Sequence, residues 1–439
     1  PSIAMGKRMR DSLREAAAPF GFASEVLTAA EAALDSVRGV WEQRDADSLR
    51  ISAKIVRCFA AARLTDAHLA GTTGYGYHDA GRDAYEKLLA QIFGAEAAFA
   101  RLQFASGTHA IVAAAHAMLG PAGRLVSLSG APYDTLRMAL VAPLERDARG
   151  GLARYREAAW DSGDMPDAYS VAAVVRDQPD VAFIQRSRGY ASRPALSIAH
   201  IEALIAQVRQ SSPGTLVMVD NCYGELVELR EPCEVGADVV VGSLIKNPGG
   251  GLAPGGAYVA GRAALVDRIA DAVFAPGLGR KVGPTYEAMR WLLAGLHRAP
   301  RAVAESLKIL DFAAALFEQL GYAVDPVPGA PRADIIQAIA LGSPARLTAF
   351  SEGLQAMMPV NPHARPEPGD VPGYADRVLM AVGGFIGGST MELSCDAPLR
   401  EPYQVYLQGG LDVAHGVLAC MNAASRVAAL GRRSGTARE

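Results

Sequence analysis

Between residues 11 and 63 apolar side chains recur every three to four positions, through "SLREAAAPF", "SEVLTAAEAALDSVRGVWEQ" and "DSLRISAKIVRCFAAARL". That period lines one face of a helix. Ser24 before Glu25 and Asp47 before Leu49 read as helix starts, because a short polar side chain there can accept a first-turn N–H. The pattern breaks at "GTTGYGYHDAGR" (71–82), a loop with four glycines and two tyrosines, and a helix follows over 83–93.

From about residue 100 the rhythm changes. The runs 124–129, 181–185, 216–220, 238–245 and 257–261 have strand length and β-branched content, and they alternate with helical windows at 106–119, 198–210 and 262–272. Strands alternating with helices need crossover connections, so the expected fold class is α/β with a mostly parallel, doubly wound sheet. Ligands on such sheets bind beyond the carboxyl ends of strands, and Asp220 and Lys246 stand at two of those ends. A long helical stretch, 285–321, is expected to bend near Pro300. The remainder, with "ADIIQAIALG", "PARLTAFSEGLQAMM", "DRVLMAVGGFI" and a final helix over 409–430, suits a smaller C-terminal α+β domain containing a proline-rich loop at 359–373. The expected divisions are a helical segment 1–65, a large domain 66–290, a small domain 291–430 and a frayed tail 431–439.

Composition narrows the function. Across 439 residues the formal charge is only −3, which gives no basic field for nucleic acid or an anionic membrane, and neither is expected as a partner. No apolar run is unbroken for the roughly 18 residues of a membrane span, and the N-terminal residues lack a signal-peptide layout. The five scattered cysteines form no CxxC pair, so reduced thiols and a cytoplasmic location are expected. The histidines show no HExxH spacing, and no metal site is expected.

The candidate chemistry centres on "GSLIKNPGGGLAPGG" (242–256), where Lys246 precedes a glycine-rich loop. A P-loop carries its glycines before the lysine, so a nucleotide-phosphate cradle does not fit. A covalent amine fits better once Asp220 is added, because a pyridoxal phosphate site needs both groups. Lysine holds the cofactor, and an acid keeps the pyridine nitrogen protonated. Burial and a nearby cation are expected to lower the pKa of Lys246 and free its amine near neutrality. Ser106, Gly107 and Thr108 open a helix whose N–H groups could receive a phosphate, with Ser243 adding a hydroxyl. Tyr133 follows a strand, where it could stack on the ring. Taken singly, each of these residues also reads as a solvated loop lysine, a capping acid, a plain helix start or a core tyrosine.

Together, "TTGYGYHDAGRDAYE", "SGTHAI", "PYDTL", "IQRSRGY", "VDNCYGE" and "GSLIKNPGGGLAPGGAYVAGR" resemble the methionine γ-lyase-like family, also called aluminium-resistance proteins. The resemblance spans roughly residues 50–420. It implies a fold type I pyridoxal 5′-phosphate enzyme of the transferase-like architecture, and a lyase that eliminates a thiolate, halide or other group from the side chain of an L-amino acid. An aminotransferase or aldolase of the same fold, and a non-catalytic cofactor-binding regulator, are the alternatives. The matched positions imply that Lys246 attaches the cofactor and moves the α-proton, Asp220 pairs with the ring nitrogen and Tyr133 stacks on the ring. Ser106, Gly107, Thr108 and Ser243 would hold the phosphate, with Tyr77 and Arg82 supplied by a neighbouring subunit. Ser187 and Arg188 would lie near the phenolic oxygen, and Arg400, or else Arg188, would clamp the substrate carboxylate. A homodimer is implied as the minimal unit and a homotetramer as the assembly, with segment 1–65 packing on the small domain and the dimer partner. Where the related lyases carry Ser-x-Thr-Lys, Ile245 precedes Lys246 here, so one phosphate hydroxyl is missing. His78 also replaces an expected acid.

Overall fold

The computed structural model describes residues 2–146, 153–160, 163–274 and 276–433. It opens with α1 (Ser2–Ala17), α2 (Ser24–Ala62) and α3 (Ala80–Phe93). Asp47 starts no helix. With no proline to interrupt it, α2 runs straight through, and the Asp47 carboxylate pairs with Arg50 on the same face at 3.2 Å.

Next come β1 (Ala97–Arg101), α4 (Gly107–Leu119), β2 (Leu125–Ser127) and a helical stretch made of α5 (Asp134–Leu136), a π segment (Arg137–Val141) and α6 (Ala142–Arg146). They are followed by β3 (Tyr155–Glu157), α7 (Ala168–Val175), β4 (Val181–Gln185), α8 (Ile198–Ser211), β5 (Leu216–Asp220), β6 (Val239–Ser243), β7 (Ala257–Gly261) and α9 (Ala263–Val273). The seven strands form one sheet in the order β1-β7-β6-β5-β4-β2-β3. Only β7 opposes its neighbours, β1 and β6; every other pair is parallel. Parallel register sets Gln185, Asp220 and Val241 side by side, which aligns the strand ends that carry candidate residues. Phe99, Ile111, Phe183, Met218, Val241 and Ile269 belong to the apolar core on which α4 and α9 pack. The sequence pattern does not reveal β1 or β3: "AAFAR" is alanine-rich and of low strand propensity, and β3 is a three-residue edge strand.

The chain continues with α10 (Met289–Gln319), β8 (Ala323–Asp325), β9 (Ile336–Ala340), α11 (Pro344–Gln355), β10 (Val378–Ala381), β11 (Ser394–Pro398), β12 (Gln404–Gln408) and α12 (Val413–Arg433). Pro300 lies inside α10 without ending it. The last five strands form an antiparallel sheet, β10-β11-β12-β9-β8. The final helix starts at Val413 rather than 409, because Gly409 and Gly410 hold positive φ angles of 72° and 114°. It runs on through Arg433 into the segment expected to fray, and residues 434–439 lie outside those described. Val413–Leu430 is long and apolar enough to cross a membrane by composition. One face of it packs on α11, where Asn422 Nδ2 donates to Gly353 O at 2.7 Å and a Cβ on Gly353 would come 2.7 Å from Ala423 Cα.

Two compact units result, Asp47–Arg301 and Pro1–Ala46 with Ala302–Glu439. Both divisions fall inside long helices, α2 and α10, away from the positions near 65 and 290 that the sequence pattern suggests. In the second unit Asp311 is fully buried. It accepts from Arg44 Nε at 3.0 Å and from Arg332 Nε at 2.7 Å, which explains the arginine of "RADIIQAIALG".

Candidate active site

Every group in this site belongs to the unit Asp47–Arg301. Asp220 ends β5 and is buried, with Oδ1 accepting the Cys222 N–H at 3.1 Å. Burial raises its pKa, while the Cys222 donors, Lys246 and Arg193 pull it back down. Arg193, which the sequence pattern does not single out, is buried and donates to the carbonyls of Gln185 and Ser187, both at 2.8 Å.

Lys246 lies just past β6, partly buried, with Nζ 3.6 Å from the centroid of the Tyr223 ring. Burial works against its charge, but Tyr223, Cys222 and Glu225 outweigh burial and hold the pKa above the ordinary lysine value. The expectation of a lowered pKa therefore fails for this chain, because the groups that act most strongly on the amine besides burial are electron-rich. Glu225 is itself buried, bonded to Tyr258 Oη at 3.0 Å and pushed up to about 8 by burial.

Gly249 and Gly250, after Lys246, serve packing. Gly250 has φ 51°, and a Cβ on it would come 2.4 Å from the carbonyl of Gly295 in α10. The anion-receiving geometry is elsewhere, at the start of α4. Ser106 caps that helix by accepting His109 N–H at 3.1 Å. The first-turn N–H groups of Gly107 and Thr108 have no acceptor within the helix. A Cβ on Gly107 would come 3.2 Å from Ser243 Cβ and 3.5 Å from Cys222 Sγ. The helix start, the end of β6 and the loop after β5 thus converge on a glycine with no side chain. Thr108 Oγ1 shares a 2.7 Å hydrogen bond with Tyr133 Oη, and Gln185 Oε1 accepts Tyr133 N–H at 3.0 Å. Burial foremost, then the charge of Asp220, raises the pKa of Tyr133 and keeps it a neutral phenol.

A buried acid, an amine, an aromatic ring and a helix N-terminus with adjacent hydroxyls are the donor set that pyridoxal phosphate requires. These residues fit the group.

The profile of the methionine γ-lyase family matches residues 26–428. The chain belongs to the methionine γ-lyase family. It is 39% identical to the uncharacterized protein YnbB of Bacillus subtilis (strain 168) over 88% of this chain and 93% of that one. Among solved structures, a protein of Clostridium acetobutylicum provisionally named a cystathionine β-lyase involved in aluminium resistance superposes with TM-score 0.88 at 37% identity. That match covers 94% of this chain and 98% of the other. A carbon–sulfur lyase involved in aluminium resistance from Clostridium novyi NT gives 0.87 at 34%, over 94% and 98%. Membership of the methionine γ-lyase family makes this chain a pyridoxal-phosphate-dependent enzyme of fold type I and a carbon–sulfur lyase by class. Its mixed, mostly parallel sheet and smaller antiparallel sheet are the architecture of that fold.

The remaining sequence candidates are placed as follows. Ser187 and Arg188 are buried just past β4, and Arg188 Nε donates to Ala191 O at 3.2 Å. Arg82 is buried and held within its own chain, with Nη1 on the carbonyls of Gly76 (2.7 Å) and Gly283 (3.0 Å) and Nε on Asp83 (3.2 Å). Tyr77, in the same loop, is 46% exposed. Arg400 belongs to the other unit and is exposed, with Nη1 3.6 Å from Asp376 Oδ2.

Proposed function

We propose that this chain catalyses γ-elimination from an L-amino acid whose Cγ carries a thiolate, halide or other leaving group, with pyridoxal 5′-phosphate as cofactor. The observation that supports this most is the buried Asp220 within electrostatic reach of Lys246, together with an α4 N-terminus that meets Ser243 and Cys222 at Gly107. Ser106, Gly107, Thr108 and Ser243 would hold the phosphate, Asp220 would keep a proton on the ring nitrogen, and Tyr133 and Ser187 would complete the lining of the ring. When bound, pyridoxal phosphate supplies an electron-withdrawing ring joined to the substrate's amino group, which acidifies the Cα–H bond. Lys246 Nζ would be the attachment point, and its amine would take the proton from the substrate Cα. Loss of a Cβ proton then expels the group on Cγ. With one water consumed, the products are the protonated leaving group, ammonium and a 2-oxo acid. The name of the Clostridium acetobutylicum relative favours a second reading, elimination from Cβ.

A panel of L-amino acids separates the readings. Methionine or another Cγ-substituted substrate is expected to give 2-oxobutanoate and ammonia with no acceptor acid present. Pyruvate from cystathionine as the dominant product would move the cleavage to Cβ, and a requirement for an acceptor acid would make the enzyme an aminotransferase.

Arg400 is the proposed clamp for the substrate carboxylate, with Arg188 the alternative. Lysine keeps the charge but loses the planar fork. Arg400→Lys is therefore expected to raise KM by about tenfold or more, on the order of 1–2 kcal/mol, and to leave the bound cofactor's absorption unchanged. An unchanged KM for every accepted amino acid would assign the clamp to Arg188.

The assembly proposed is a homodimer, as half of a homotetramer. Tyr75, Tyr77, Tyr286 and Trp291 are all exposed, and two backbone bonds (Gly283 N to Tyr75 O and Tyr286 N to Thr72 O, both 2.9 Å) join the segments that carry them. Arg82 stiffens that loop from inside, and Tyr77 reaches the neighbour's phosphate. Light scattering that finds single chains would overturn this. The five cysteines, all free of disulfides, support a cytoplasmic location.

A further inference from the structure

The loop between Asp220 and β6 carries an aromatic ring, Tyr223, against the Lys246 amine. Tyr223 has φ 71°, in the left-handed region that a bulky side chain rarely enters. Such a conformation persists only where its surroundings over-determine it. Here they do. Asn221 is fully buried; its Oδ1 accepts from Arg186 Nη1 at 2.8 Å and its Nδ2 donates to Glu231 Oε2 at 2.9 Å. Gly224 N–H closes a turn onto Asn221 O at 2.9 Å, and a Cβ on Gly224 would come 2.5 Å from Arg186 Cδ. Asn247 Nδ2 donates to the carbonyls of Tyr223 at 3.0 Å and Glu225 at 2.8 Å. Asn247 directly follows Lys246, so the residue beside the lysine fixes the backbone that carries the ring, and the ring lies against the lysine's Nζ at 3.6 Å.

We propose that Tyr223 is a positioning residue for Lys246, its ring face holding the displaced ammonium in place between accepting and returning a proton. The inference rests on the assignment of Lys246 as the amine of the site. Tyr223 acts on the amine in two ways, through its ring face at 3.6 Å and through a side-chain hydrogen bond, and both favour and orient the ammonium. Among the groups facing Lys246, Cys222 and Glu225 come from the same loop and Asp220 from the end of β5, and none of them places a ring face against Nζ.

The test uses the full chain stripped of cofactor and reads acetylation of Lys246 by acetic anhydride across pH, with peptide masses as readout and Lys54 as internal control. Tyr223→Leu is expected to lower the Lys246 midpoint by about one pH unit, making the amine roughly tenfold more reactive at fixed pH, while Tyr223→Phe, which keeps the ring face and loses the hydroxyl, lowers it by clearly less. In the loaded enzyme, Tyr223→Leu is expected to lower kcat with little change in KM. A Leu variant with the parent's midpoint, or a Phe variant that behaves like Leu, would overturn the role of the ring face. Because the readout needs no cofactor, that failure is distinct from failure of the Lys246 assignment, which is decided by where borohydride fixes the cofactor.

Discussion

Lys246→Ala is expected to purify without the visible absorption of a bound cofactor and to lose at least about three orders of magnitude in kcat/KM, some 4 kcal/mol of barrier. The size follows from the amine's two tasks, attachment and proton movement at Cα, neither of which another lysine at this site can take over. Lys54, another lysine of the sheet-bearing unit, is bound to Glu234 at 2.8 Å. In the parent, borohydride reduction and peptide mapping should place the cofactor on the peptide that contains Lys246. A label on any other lysine removes the basis of the proposed function. A second consequence appears without cofactor: Lys246 lowers the pKa of Asp220, so the Asp220 carboxyl in Lys246→Ala should titrate at higher pH than in the parent.

Asp220→Asn is expected to retain bound cofactor and lose two or more orders of magnitude in kcat, about 3 kcal/mol, because an amide cannot hold a proton on the ring nitrogen. The cofactor-free protein provides the control. Burial raises the folded-state pKa of Asp220, so the folded chain binds this proton more tightly than the unfolded chain does. Stability is then lost as pH rises from the ordinary carboxylate range through the folded value. The asparagine variant lacks that loss, and its Tm near neutrality should equal or exceed the parent's. A variant with near-parental kcat would reduce Asp220 to a capping acid, and a sharp fall in Tm would show that the activity loss reflects damage to the fold.

Much of the sheet could be read along the chain. Runs such as "VAFIQ" and "LVMVD" are wholly apolar or nearly so because both faces of a parallel sheet are covered, and their bounds match β4 and β5. Asp220 and Lys246 were legible for the same reason: a polar residue closing such a run stands at a strand's carboxyl end. The alanine-rich β1 and the short β3 were not, since neither carries a strand signal. Asp47 misled because a capping residue type in a helix interior looks the same in sequence as one at a helix start.

By itself the sequence determined the alternation of strands and helices, the lysine and acid at two strand ends and the small-residue turn that opens α4, because each is a local pattern in which neighbouring residues carry the signal. The tertiary structure decided what lies against them. It set Gly249 and Gly250 against Gly295 of α10 and brought Ser243 and Cys222 to Gly107 at the start of α4. It buried Arg82 on its own chain's carbonyls, brought Arg193 within electrostatic reach of Asp220 and laid the Tyr223 ring on Lys246. These contacts join residues from different strands, loops and turns, and the rise in the pKa of Lys246 depends on the charges that folding brings around it, which no spacing along the chain encodes.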